Sequence, residues 1–268
     1  MFDATDDWEH SWGRTQTFHR CSWDSVDKTN GDETKLRNTD VEAETKRRLS
    51  RSGIDSPAMM AEETTRRRGS TTPAAVLGIL GPNDNLLIYY AGHGYRLKSD
   101  KLENGYWLPR NAERPPNDTF WVPNEQITSH IGRLQAKRVL VVADSCYAGL
   151  LSTDPSFFFL DKPTEVSKDY VMFKLPKRSR LLIASGGDNP VLDEGGQGNS
   201  VFAKAFLDVL EANDGIMTAP ALFSMVQGKV KEGALRNHFA QQPEFKSIKG
   251  AGHEVGDFFF VPLSRVKT

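Results

Sequence analysis

The sequence predicts an α/β domain with a mostly parallel sheet flanked by helices, preceded by an N-terminal stretch of different character. Three observations predict it. Beyond residue 76, short apolar runs recur with polar or turn residues on either side. Segments with one apolar helical face lie between those runs, as crossover helices between parallel strands would. Residues 1–75, by contrast, hold only five Val, Ile or Leu but 26 charged residues. Such a stretch buries too little apolar surface to offset about 1–2 kcal/mol of backbone entropy per residue. Residues 1–75 are therefore expected to be an atypical, largely disordered segment and residues 76–268 the folded domain.

Taken in order, Asn85-Leu86-Leu87-Ile88-Tyr89-Tyr90-Ala91 reads as a buried strand. Pro123 to Leu134 places Ile127, Ile131 and Leu134 on one helical face. Arg138 to Ala143 is the next strand, and a long connection with three prolines follows over 151–177, expected on the surface. Arg180 to Ser185 is a third buried strand. Ser200 is placed to cap a helix that buries Val201, Phe202, Ala205, Phe206, Val209 and Leu210. Another helix begins near Thr218-Ala219-Pro220, with proline in its first turn. Asp257 to Val261 reads as the last strand.

Composition narrows the function. The 268 residues carry 34 Lys and Arg against 35 Asp and Glu, a net charge of −1, so no global field recruits nucleic acid or anionic lipid. The basic clusters Lys46-Arg47-Arg48 and Arg66-Arg67-Arg68 lie among acidic neighbours and read as solvated charge. No apolar run approaches the roughly 18–20 residues of a membrane span, and the N-terminus lacks the pattern of an export signal. The expectation is a cytoplasmic protein with neither nucleic-acid nor membrane partners. Only Cys21 and Cys146 are present, too few for a disulfide scaffold or a four-thiolate zinc site. Cys21 sits amid polar residues, so any thiol chemistry falls to Cys146.

Two strands run out into reactive residues: the first into Ala91-Gly92-His93-Gly94, the second into Asp144-Ser145-Cys146-Tyr147-Ala148-Gly149. Reactive groups in open α/β sheets gather beyond the carboxyl ends of strands. As parallel neighbours about 5 Å apart, these strands would bring the Cys146 thiol and the His93 imidazole to one groove. An ordinary thiol supplies only a few per cent thiolate at neutral pH, so attack on a carbonyl needs a base beside it. The flanking glycines allow close backbone approach, and the N–H groups of Gly94 and Cys146 are the candidate oxyanion hole.

YYAGHG (89–94) and ADSCYAG (143–149), with His about 50 residues upstream of Cys, resemble the signatures of the caspase-like cysteine peptidases, the clan of caspases, metacaspases and their bacterial relatives. The resemblance continues through YWLP (106–109), SGGDNPVLD (185–193) and SVFAKAFLDVL (200–210). It implies a three-layer caspase-like fold and hydrolysis of a protein or peptide substrate through a thioester. His93 would be general acid and base and Cys146 nucleophile, with no redox or nucleotide cofactor. Caspases have glutamine at the position of Asp144, whereas metacaspase-like relatives have an aspartate that lines the first specificity pocket. A carboxylate there favours Arg or Lys before the scissile bond. Some metacaspases bind calcium, and Asp154, Asp161 and Asp188 are the residues considered for such a site, at a spacing too loose to assign ligands. Self-cleavage is allowed by the basic residues Lys162, Lys168, Lys174, Lys177, Arg178 and Arg180.

The family pattern also places an apolar strand, a helix and a second strand before the His-bearing strand. Residues 1–75 contain nothing similar, which predicts an unpaired edge on strand 85–91. That departure motivates a second reading, a catalytically inactive caspase-fold scaffold or partner-binding module. A thiol-dependent acyl transferase shares the same dyad. Among the remaining residues, His130 reads as surface and His238 and His253 as loop histidines. Gly195-Gly196-Gln197-Gly198 reads as a flexible loop. Trp107 and Trp121 fit either a substrate groove or the core. No motif encodes the oligomeric state.

Overall fold

A computed structural model describes residues 15–16, 80–98, 103–109, 112–113, 115, 117–152, 166–187, 191–192 and 198–262. Its centre is a five-stranded sheet. β1 (Thr15–Gln16), β2 (Asn85–Ala91), β6 (Arg138–Asp144), β7 (Ser179–Ala184) and β9 (Glu244–Ser247) lie side by side in that order. The first four are parallel, and β9 runs antiparallel to β7. The runs of β-branched and leucine residues in β6 and β7 suit strands covered on both faces, and every residue of both is buried.

Side chains alternate across the sheet and feed two cores. Leu87, Tyr89, Leu140, Val142, Leu181 and Ile183 pack against α3 (Val201–Glu211) and α4 (Ala219–Arg236). Leu86, Val139, Val141, Ala143, Leu182 and Ala184 pack on the other side with Ile131 and Leu134, at the end of α1 (Asn124–Arg133). Helix, sheet and helix make the three layers that the resemblance implies. Ser200 and Thr218 cap α3 and α4 as their positions predict, accepting from the N–H groups of Ala203 and Ala221.

A second sheet was not legible. β3 (His93–Lys98), β4 (Glu103–Leu108) and β5 (Val122–Pro123) form an antiparallel three-stranded sheet. Tyr95, Tyr106 and Trp121 cluster on it, with ring centroids 4.6 and 5.5 Å apart.

Four expectations need correction. Asp257 to Val261 does not add a strand to the main sheet. Only β10 (Phe259–Phe260) forms there, pairing antiparallel with β8 (Met217–Thr218). The missing sheet strand is β9, whose charged residues hid it. The connection over 151–177 does not lie wholly on the surface, because α2 (Lys168–Lys174), capped by Ser167, forms within it and buries Val171. The edge of β2 is not wholly unpaired, since Thr15 and Gln16 pair with Asn85 and Leu86. Arg180, counted among the accessible basic residues, is fully buried in β7. Its guanidinium donates to the carbonyls of Leu134, Ala136, Lys137 and Ser179 at 2.8–3.0 Å. It thereby satisfies acceptors around the link from α1 to β6.

Candidate active site

β2 and β6 pair in parallel register through Ala91 and Asp144, and the Gly92 N–H donates to the Asp144 carbonyl at 3.3 Å. His93 lies two residues beyond the end of that ladder on one strand, and Cys146 two residues beyond it on the other. The two predicted residues are thus brought to neighbouring strand ends at the carboxyl edge of the sheet. Each is half-buried. Tyr147 takes a left-handed conformation, φ 58°, which ends the extended run and starts the one-turn 3₁₀ helix Ala148–Leu151.

The small sheet lies directly on this turn. A Cβ on Gly94 would collide with the Cys146 carbonyl oxygen, and one on Gly105 would collide with the Asn124 side-chain amide while meeting Leu150 at 3.0 Å. Only glycine permits both approaches. From the same strand, the Arg96 guanidinium stacks over the Tyr147 ring, 5.0 Å from its centroid. Tyr90, which the sequence reading took only as part of a strand, buttresses His93. Its hydroxyl donates to the His93 carbonyl at 2.7 Å and accepts from the Leu108 N–H at 3.1 Å. The Tyr90 ring also stacks flat on Trp107, with centroids 4.1 Å apart.

Asp144 is 8% exposed and lies where α3 begins. Its carboxylate accepts from the Ser200 hydroxyl at 2.5 Å and from the Tyr89 hydroxyl at 3.5 Å. Ser200 Oγ in turn accepts from the Ala203 N–H at 2.8 Å, so one serine caps the helix and holds the carboxylate. The positive end of the α3 dipole favours an anion at this position. On the other side of the Cys146 turn, Ser145 Oγ donates to the Cys146 carbonyl at 3.2 Å, and the Ser145 N–H donates to Ser185 Oγ at 3.1 Å. A half-buried thiol, an imidazole, two glycine-flanked backbone segments and a buried carboxylate therefore meet at one edge. Such an arrangement can perform acyl transfer to and from sulfur.

Other candidates lie elsewhere or have structural partners. His253 Nδ1 accepts from the Arg180 N–H at 3.1 Å, near the amino end of β7 and so at the opposite end of the sheet from Cys146. His130 lies in α1 beside Arg133, and burial together with that cation lowers its pKa. His238 is exposed just past the end of α4. Trp121 is buried and its indole N–H donates to the Glu113 carbonyl, and Trp107 packs against the α1-side core, so both are packing residues. Asp154, Asp161 and Asp188 lie outside the described residues, as do Cys21, Lys162 and Gly195 to Gln197. Among the described residues, no group of three His, Cys, Asp or Glu is placed to hold a metal ion. Likewise no helix among them is long and apolar enough to cross a membrane.

A solved structure of a protein from Geobacter sulfurreducens is similar at 16% identity, over 87% of this chain and 92% of that one, with a TM-score of 0.48. No curated protein matches. The caspase domain, as a family, matches residues 79–250, a span that contains both strand ends described above, and the chain belongs to that family.

Proposed function

We propose that this chain is a cysteine endopeptidase that cleaves protein or peptide substrates after Arg or Lys, with Cys146 as nucleophile and His93 as general acid and base. The observation that carries the reading is the shared register of β2 and β6, whose last pair, Ala91 and Asp144, lies two residues before His93 on one strand and two before Cys146 on its neighbour. Membership of the caspase-domain family supports the peptidase class.

In this mechanism His93 takes the Cys146 proton and the thiolate attacks the scissile carbonyl. The oxyanion is met by the N–H groups of Gly94 and Cys146. His93 then protonates the departing amine, leaving a thioester, and activates the water that hydrolyses it. Asp144 receives the basic side chain. Burial beside the start of α3 keeps its carboxylate away from bulk water, which strengthens a charge-assisted bond to guanidinium or ammonium.

Fluorogenic peptides with Arg, Lys or Asp before the scissile bond test the reading, with Cys146→Ala and His93→Ala as controls. The expected result is turnover of Arg and Lys peptides that both substitutions abolish. Preference for Asp would overturn the assignment of Asp144, and activity unchanged in Cys146→Ala would overturn the mechanism.

A further inference from the structure

Edge strand β9 passes beneath the turn that follows Cys146. Its residues alternate between faces: Phe245 enters the core under α4, whereas Glu244 and Lys246 point to the face that carries the 3₁₀ helix Ala148–Leu151. Lys246 Nζ lies 2.8 Å from Glu244 Oε2. The same ammonium donates to the Gly149 carbonyl at 3.3 Å and to the Ser152 carbonyl at 3.5 Å. From the chain just beyond β9, the Lys249 N–H donates to Ser152 Oγ at 3.1 Å. Glu244 closes the other side. A Cβ on Gly149 or Gly187 would fall 2.5 or 2.6 Å from a Glu244 carboxylate oxygen, and the two glycine backbones are joined by a 3.2 Å hydrogen bond.

The Ser152 N–H closes the one-turn helix on the Gly149 carbonyl at 3.2 Å, and a carbonyl has room for a second donor. Lys246 is a further, charged donor to the carbonyls three and six residues past Cys146. The side chains of the pair are only 11% and 25% exposed. Desolvating two charges is costly, and apolar residues would hold a plain edge strand as well or better. Charge at this place therefore calls for a role other than burial. We propose that Lys246, neutralised by Glu244, is a positioning residue that locks the Cys146 turn onto the sheet and so fixes the aim of the thiol. The proposal rests on the reading of Cys146 as nucleophile.

The test compares wild type with Lys246→Met, Lys246→Arg and the double variant Lys246→Met/Glu244→Gln. Three quantities are read: thermal unfolding, kcat and KM on an Arg peptide, and the rate of Cys146 alkylation by iodoacetamide. Peptide mass mapping separates Cys146 from Cys21. Lys246→Met is expected to lower kcat about 10- to 100-fold, the scale of a small misplacement of a reacting group, with KM changed less than about threefold. Alkylation of Cys146 should change several-fold. Lys246→Arg keeps charge and donors and should recover most of kcat. The double variant removes the uncompensated carboxylate, so its Tm should return while its kcat stays low.

Wild-type kcat and alkylation in Lys246→Met would overturn the proposal, as would joint recovery of Tm and kcat in the double variant. Should wild type hydrolyse no peptide, alkylation decides alone. A changed rate in Lys246→Met would uphold the positioning role while the proteolytic reading fell, and an unchanged rate would sink both.

Discussion

Gly94 and Cys146 approach so closely that the glycine has no room for a side chain. A Cβ at Gly94 would collide with the Cys146 carbonyl oxygen and lie 2.7 Å from Ser145 Oγ. The obstacle is mostly backbone, which cannot rotate away as a flexible side chain would. Gly94→Ala must therefore push β3 off the Cys146 turn or distort the turn itself. Overpacking of this kind costs about 1–3 kcal/mol, and a displacement near 1 Å at a reacting group lowers turnover about 100-fold. Urea unfolding and kcat/KM on an Arg peptide measure the two effects. Near-normal turnover in this variant would mean that the close approach is not used in catalysis.

Asp144 and Ser200 form a second linked pair. Ser200→Ala removes the N-cap of α3 and the hydroxyl that donates to Asp144. A lost cap costs about 0.5–2 kcal/mol, and a bond to a charged group is worth about 1.5–3 kcal/mol. The expected outcome is a loss of about 2–5 kcal/mol in urea unfolding and a raised KM for Arg peptides. Ser200→Thr keeps the hydroxyl and should stay close to wild type in both. A double-mutant cycle with Asp144→Asn reads the coupling, and strictly additive effects would argue that the two side chains act independently.

How much of this was legible depends on whether an element announces itself by periodicity. Strand 85–91 and the helix capped by Ser200 stood out because their apolar residues are consecutive or spaced by helical turns. His93 and Cys146 were findable since each follows such a strand directly. β9 was not, because two of its four residues are charged and serve the Cys146 turn rather than the core. β3 and β4 were missed for a related reason. They hold Gly94 and Gly105 where a close approach forbids side chains, so alternation is broken where the site needs it. Tyr90 could have been suspected from its place in YYAGHG, yet nothing in the sequence says that its hydroxyl turns back to the His93 carbonyl.

Arg180 offers a test of the sheet's other end. Burial, with the nearby Arg178 cation adding to it, brings its pKa down to about 10, so it stays charged at neutral pH. Four carbonyls depend on it. Arg180→Met fills the space but withdraws the guanidinium donors from all four, of which the Lys137 carbonyl still accepts from the Ser179 N–H at 2.7 Å. The expected loss is about 1–3 kcal/mol for each buried carbonyl left without a donor. Lys cannot span four acceptors with the same geometry, so Arg180→Lys should recover only part. Guanidinium unfolding measures both, and a loss below about 1 kcal/mol for Arg180→Met would contradict the role.

The last prediction concerns pH. Asp257 is 2% exposed, and burial pushes its carboxyl up from 3.8 to about 6, against the opposing pull of the Tyr170 hydroxyl, the Phe258 N–H and Lys174. Tyr170 donates to Asp257 at 2.9 Å and thereby ties α2 to the segment leading into β10. The Tyr170 phenol is itself driven up, first by burial and then by the carboxylate. Because the folded chain holds the Asp257 proton more tightly than the unfolded chain, its contribution to stability is full below pH 3.8 and is lost as pH rises through about 6. Above that, a charged carboxylate sits in the core at a cost of about 3 kcal/mol. Asp257→Asn keeps an oxygen to accept from Tyr170 and has no proton to lose. Urea unfolding between pH 4 and 7 should therefore show wild type losing up to about 3 kcal/mol relative to Asp257→Asn. Tyr170→Phe removes a donor that favours the charged form, so it should push the Asp257 carboxyl still higher and deepen the loss at pH 7. Parallel pH profiles for wild type and Asp257→Asn would mean that the carboxylate is solvated in the folded chain.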